Sequence, residues 1–274
     1  MALALDPTPA LHSWSLFRTT GRYVAPGSAP SGALAENTDG GGLDLLELPA
    51  QLAARGFASA QLCHFYLPTT EASYLGELRA AFDTAGVDLE VLLVDDGDVV
   101  HPEHGREQQR WLSTWLDVAE QLGAPRVRVP AGDQPPSEET LALSARRLRE
   151  LAAEHPDLRV LTENWRGLLV DEAVTTRLLD LLEGEVGLLI DTGNWDGEDK
   201  YRQIAAVAGQ AECSQVKARE SAPGVLDEED LEQSLQALAE AGYSGRLSLV
   251  YAGSDDDEWG RLAQMQEIVR RVLA

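Results

Sequence analysis

Two short segments carry residue types at a spacing that chemistry can use. Val160-Leu161-Thr162-Glu163-Asn164-Trp165 and Leu188-Leu189-Ile190-Asp191-Thr192-Gly193-Asn194-Trp195 each run from apolar residues into a carboxylate, with Asn and Trp following in the same order. Two carboxylates brought side by side repel. A bound divalent cation or a shared proton relieves the repulsion, so Glu163 and Asp191 suit a hard metal ion or general acid/base work. The competing reading is that each caps the helix after it; the repeated Asn and Trp favour function.

Other residues fall at the ends of similar apolar runs. Lys217, one of two lysines in the chain, closes such a run. Arg128 can pair with a carboxylate or a phosphate, or with Asp133. His12 and His64 can orient a hydroxyl or ligate a metal, against the alternative of hydrogen-bonded packing. Trp14, Trp165 and Trp195 offer aromatic faces for the apolar face of a sugar, with core packing as the alternative, and Asn164 and Asn194 stand beside the carboxylates as further substrate-binding candidates.

These side chains meet only if the chain brings the run ends together. Apolar, β-branched runs near 10–16, 58–64, 89–95, 126–130, 159–163, 186–191, 213–218 and 245–251 alternate with stretches of helical periodicity. Eight such units predict one α/β domain over residues 1–274, a single (β/α)8 TIM barrel, whose strand ends converge on one mouth. A helix over 106–122 carries Trp111, Trp115, Val118, Ala119 and Leu122 on one stripe, which makes both tryptophans packing residues. One over 136–153 opens with the start signal Ser137, and Gly123, Gly184 and Gly242 mark helix ends. The Gly-, Pro- and Ser-rich segment 19–42 reads as a long first βα loop, either a lid or a functionless insertion. The acidic run 255–258 reads as a helix start.

The chain has 274 residues, is 44% hydrophobic, and carries a formal charge of −24, with a pI near 4.4. That charge opposes a phosphate backbone, so nucleic acid is not expected as a partner. No membrane segment and no export signal are expected, which points to the cytoplasm. Cys63 and Cys213 have neither disulfide nor zinc-site spacing. Oligomeric state is not readable, a homodimer being one option.

The ordered motifs Ser13-Trp14-Ser15 with Arg18, Asp96-Gly97-Asp98, Leu122-Gly123-Ala124, Glu163-Asn164, Asp191-Thr192-Gly193-Asn194, Val216-Lys217-Ala218, Gly242-Tyr243 and Leu247-Ser248-Leu249 span nearly the whole chain. In them the chain resembles the sugar phosphate isomerase/epimerase family of xylose isomerase-like TIM barrels. That group includes hydroxypyruvate isomerases, ketose 3-epimerases, inosose and dehydroshikimate dehydratases and endonuclease IV. The resemblance implies one divalent metal, Mn, Mg, Co or Zn, with Glu163 and Asp191 as ligands. Two further ligand positions, a His and a Glu in the family, hold Gln215 and Val250 here. A Gln amide oxygen binds a hard cation weakly and Val offers no donor.

The resemblance further implies a small carbohydrate-like substrate and an enediolate route, with Glu163 as general base and Asp191 as metal ligand or electrostatic partner. Without a carboxylate at Val250 a two-base epimerisation lacks one base. One-base isomerisation or dehydration is then favoured, with Lys217 either stabilising the enediolate oxygen or pairing with Asp191 or Glu163 in place of the metal. Endonuclease chemistry needs more histidines than His12, His64, His101, His104 and His155 supply, none on the last three strands. The rival from another class is a sugar-binding or regulatory barrel that has lost catalysis.

Overall fold

The computed structural model describes residues 5–20, 42–254 and 256–274. Eight parallel strands close into a barrel: β1 Asp6–His12, β2 Ser59–Cys63, β3 Asp88–Leu93, β4 Arg126–Arg128, β5 Arg159–Glu163, β6 Gly187–Asp191, β7 Ala211–Ala218 and, sealing onto β1, β10 Arg246–Tyr251. Two short strands, β8 Glu220–Ala222 and β9 Val225–Leu226, form an antiparallel hairpin beyond the end of β7. The described helices are α1 Phe17–Thr20, α2 Leu48–Ala53, α3 Ala72–Ala85, α4 Gly105–Leu122, α5 Glu138–Glu154, α6 Glu172–Leu182, α7 Lys200–Val207, α8 Glu228–Glu240 and α9 Glu258–Leu273.

Periodicity accounts for the layers. Each strand is enclosed by the barrel interior and by the helices, so β2 and β6 are buried at every position and read as near-continuous runs. On α4, Leu112, Trp115, Leu116, Ala119 and Leu122 turn inward, with Trp111 partly buried beside them. The Gly123 φ of +74° closes that helix in the left-handed region that glycine enters without penalty. At the start of α5, Ser137 Oγ accepts from Thr140 N at 3.1 Å and Ser137 N donates to Thr140 Oγ1 at 2.8 Å, a reciprocal cap.

The first strand departs from expectation. It ends at His12, and Ser13–Leu16 form a 3-10 turn. His12 Nδ1 accepts from Trp14 N at 3.0 Å and pulls the chain out of extension. Serine hydroxyls then replace the lost ladder: Ser13 Oγ accepts from Cys63 N at 2.8 Å, and Ser15 Oγ accepts from Tyr251 N at 2.9 Å while donating to Leu249 O at 3.2 Å. Of the expected first loop and lid, residues 21–41 lie outside the described residues, as does Asp255. The described base of that loop is closed by Leu43 N donating to Thr19 O at 3.2 Å.

The acidic run does start a helix, Asp257 Oδ1 capping α9 through Gly260 N at 3.0 Å. Glu258 has a second task. Its buried carboxylate accepts from Arg18 N at 2.8 Å, Thr19 N at 2.9 Å and Thr19 Oγ1 at 2.7 Å, tying the end of the β1 segment to α9. Among the described residues no helix is long and apolar enough to cross a membrane. Glu258→Ala, which strands those donors, is expected to lower unfolding stability by about 2 kcal/mol, read as a shifted urea midpoint with an unchanged slope.

Candidate active site

The C-terminal ends of the strands enclose a cavity of about 620 Å³ lined by His12, Trp14, Asp95, Asp96, Arg128, Asp133, Glu163, Trp165, Arg166, Asp191, Asn194, Gln215, Lys217, Val250 and Ala252. A groove of about 680 Å³ at the opposite end includes charges that pair with each other, as in Arg246 to Asp88 at 2.7 Å. The mouth is the candidate site, because Glu163, Asp191 and Lys217 meet there at the C-terminal strand ends, the face on which barrels of this architecture carry their chemistry.

Ion pairs organise it. Asp191 leaves β6 with both oxygens engaged, Oδ1 accepting from Gly193 N at 2.7 Å and Oδ2 lying 2.6 Å from Lys217 Nζ. Burial works against the Lys217 charge, but Asp191 outweighs it and the lysine pKa is raised. A Cβ at Gly193 would come 2.5 Å from Lys217 Cδ, so only glycine leaves the lysine stem its path.

On the other side Arg128, from β4, contacts two carboxylates, Asp95 through Nη2 and Glu163 Oε2 through Nε at 2.8 Å. The second contact is one of charge, since the N–H does not align on Oε2 and that oxygen accepts no hydrogen bond. Burial opposes the charges of Arg128 and Asp95, and their mutual attraction prevails, holding the guanidinium protonated and Asp95 ionised. For Glu163 burial prevails over Arg128, and with Asp191 adding to it the carboxyl is pushed up to about 7. Asn194 joins the two halves, donating from Nδ2 to Glu163 Oε1 at 2.6 Å and accepting from Lys217 Nζ at Oδ1 at 3.2 Å.

The structure brings Glu163, Asp191, Lys217, Arg128, Asn194, Gln215, Trp14 and Trp165 to one cavity and keeps three other candidates away from its lining. His64 is buried behind the wall: its Nδ1 accepts from Asp95 N at 3.3 Å, its ring meets Trp115 edge-on at 4.9 Å, and burial lowers its pKa to about 4, as it does for His12 at the mouth. Asn164 latches two strands, accepting from Asp191 N at 2.8 Å and donating to Asp191 O at 3.1 Å. Trp195 is buried, with Nε1 donating to Leu169 O at 3.1 Å. Trp165 lies beneath two guanidinium groups, Arg128 at 5.3 Å and Arg166 at 4.6 Å from its ring centroid. Asp95, Asp96 and Arg166 line the cavity without having been singled out as site residues. Asp95 and Asp96 follow the apolar run Val91-Leu92-Leu93-Val94, the signal that marks Glu163 and Asp191.

The mouth does not fit a divalent metal. Both Asp191 oxygens are taken, Glu163 is held by Asn194 at Oε1 and faces Arg128 at Oε2, Val250 has no donor, and the Gln215 amide oxygen is left as a weak, neutral ligand. Two fixed cations already supply the charge a metal would bring. Among the described residues, the group whose ligand atoms approach within 4.8 Å of one another, and which can coordinate a divalent cation, is Asp117, Glu120 and His155 near the C-terminal ends of α4 and α5. There His155 Nδ1 lies 3.0 Å from Glu120 and Nε2 3.2 Å from Ser113 Oγ. If Lys217 occupies the cation position, millimolar Mn²⁺ should raise the melting temperature of Lys217→Ala beyond any shift that the Asp117, Glu120 and His155 group gives the wild type. An equal response of the two proteins in parallel thermal scans would contradict this.

A family model described as xylose isomerase-like TIM barrel matches residues 49–271. A Streptomyces coelicolor protein named "Putative hydroxypyruvate isomerase" is 30% identical over 247 residues, covering 78% of this chain and 88% of its own. Among solved structures, D-psicose 3-epimerase with D-tagatose from Clostridium cellulolyticum H10 superposes with a TM-score of 0.69 at 14% identity, over 97% of this chain and 99% of that one. A xylose isomerase-like TIM barrel protein from Mycobacterium smegmatis in complex with magnesium gives 0.63 at 16% identity, over 93% and 98%. At such identities the structures speak for the fold alone, whereas the family model and the Streptomyces relative speak for descent. The chain belongs to the xylose isomerase-like TIM barrel family, the sugar phosphate isomerase/epimerase group.

Proposed function

We propose that this chain is an isomerase of a small polyhydroxy carbonyl compound, working through an enediolate with protein cations in the electrostatic role. The observation that carries the reading is the bridge at Asn194, which holds a buried carboxyl of raised pKa and a fixed ammonium on the same cavity. The name of the Streptomyces relative fits a substrate with a hydroxyl beside a carbonyl.

In the forward step Glu163 takes the proton from the carbon next to the carbonyl. The C–H electron pair becomes the C=C bond of the enediolate, and the carbonyl π pair moves onto oxygen. That developing charge faces Lys217, with the Arg128 guanidinium as the second positive group. The hydroxyl proton then passes from one enediol oxygen to the other, and Glu163 returns its proton to the former carbonyl carbon. No outside oxidant or base is consumed. The protein groups are oriented before substrate arrives, which is where fixed charges are most effective. Trp14 and Trp165 offer faces to the apolar side of the ligand.

Turnover is to be sought with ketoses, inososes, hydroxypyruvate and sugar phosphates. Glu163→Gln is expected to lose about 10³-fold in kcat while ligand affinity changes little. Because Glu163 must be ionised to act as base, kcat/KM should rise with pH through a midpoint near 7 and be lost below it. Binding of these compounds with no turnover by the wild type would sink the isomerase reading in favour of a ligand-binding barrel.

A further inference from the structure

Below the mouth the barrel interior holds a short line of amides. Gln61, on β2, donates from Nε2 to the Ser214 carbonyl at 3.3 Å, and the same nitrogen lies 3.5 Å from Glu90 Oε2. Gln61 Oε1 accepts from Gln215 Nε2 at 3.1 Å. All of these residues are buried, and burial pushes the Glu90 carboxyl up.

The polarity of this line is fixed at one end. A backbone carbonyl can only accept, so Gln61 must turn its NH2 toward Ser214 and its oxygen toward Gln215. Gln215 must then answer with its own NH2, which sends its oxygen the other way. That oxygen accepts no hydrogen bond from any described residue and is not among the sealed, unsatisfied buried atoms, and Gln215 lines the mouth cavity. Reversing either amide would set oxygen against oxygen inside the barrel, at about 1–3 kcal/mol for each buried group left unmatched.

We propose that Gln215 is the hydrogen-bond acceptor for a ligand hydroxyl at the floor of the cavity, with Gln61 as the positioning residue that holds its amide oxygen there. The assignment rests on the reading of the cavity as a site for polyhydroxy compounds. A ligand presenting a hydroxyl to this floor is favoured over one presenting a carbonyl oxygen, which would face another acceptor.

The test uses D-fructose as probe in calorimetry and exchange of side-chain NH2 protons in the ligand-free protein by NMR. Gln215→Met and Gln61→Met should each weaken D-fructose binding about tenfold, the double variant losing little more, because both remove the same oriented oxygen. Wild-type affinity in either single variant overturns the assignment. If the wild type does not bind D-fructose, the polyol reading fails for this probe and exchange decides the orientation. The Gln215 NH2 should exchange at least about tenfold more slowly in the wild type than in Gln61→Met, and equal rates overturn it. Should Gln61→Met not fold, fast exchange of the Gln215 amide in the wild type overturns it alone.

Discussion

The mouth of this barrel depends on carboxylates held beside cations from neighbouring strands. Asp191 lies 2.6 Å from Lys217, and Asp95 and Glu163 share Arg128. Buried carboxylates without such partners would be forced toward neutrality or would pull in a cation from solution. Here the charges are covalently attached to strands β4 and β7, so the electrostatics of the site is set when the barrel closes. Three neighbouring residues serve that arrangement. The Asn164 latch fixes where Asp191 leaves β6, Gly193 leaves room for the lysine stem, and Asn194 ties the two charged halves together.

Loss of two expected ligand positions therefore does not leave a gap. Gln215 has become part of an amide line running into the barrel, and Val250 contributes apolar wall. The same pair of carboxylates can be served by a loose, exchangeable dication or by fixed monocations. The fixed version cannot be stripped by a chelator, but it cannot adjust its coordination during a reaction either. In the proposed isomerisation it would demand a substrate whose developing charge falls where the ammonium already is.

Much of this was legible in the residues. Eight apolar runs, several with a charged residue at or beside their ends, place Glu163, Asp191, Lys217 and Arg128 at one end of a parallel barrel, and Ser137 announces its helix. What escaped were features set by chain direction over one or two residues. His64, Asn164 and Trp195 sit within a residue or four of a strand end, yet the local turn points them into the wall or core. The 3-10 turn after β1 arises from a His12 ring and two serine hydroxyls replacing backbone partners, which no apolar periodicity encodes. The Arg128 to Asp95 pairing needs the register of β3 on β4, where Leu93 meets Arg128 and places Asp95 just beyond.

Val250 has one more consequence. With Ala252 it makes the β10 side of the cavity a surface without donors or acceptors, while β3 to β7 supply the charged and amide groups. The cavity is thus two-sided, like a hand with a greased palm and polar fingertips. On the proposed reading, a polyhydroxy ring in it finds side-chain partners along one edge and none along the β10 edge, so selection falls on how hydroxyls are distributed around the ring rather than on how many there are.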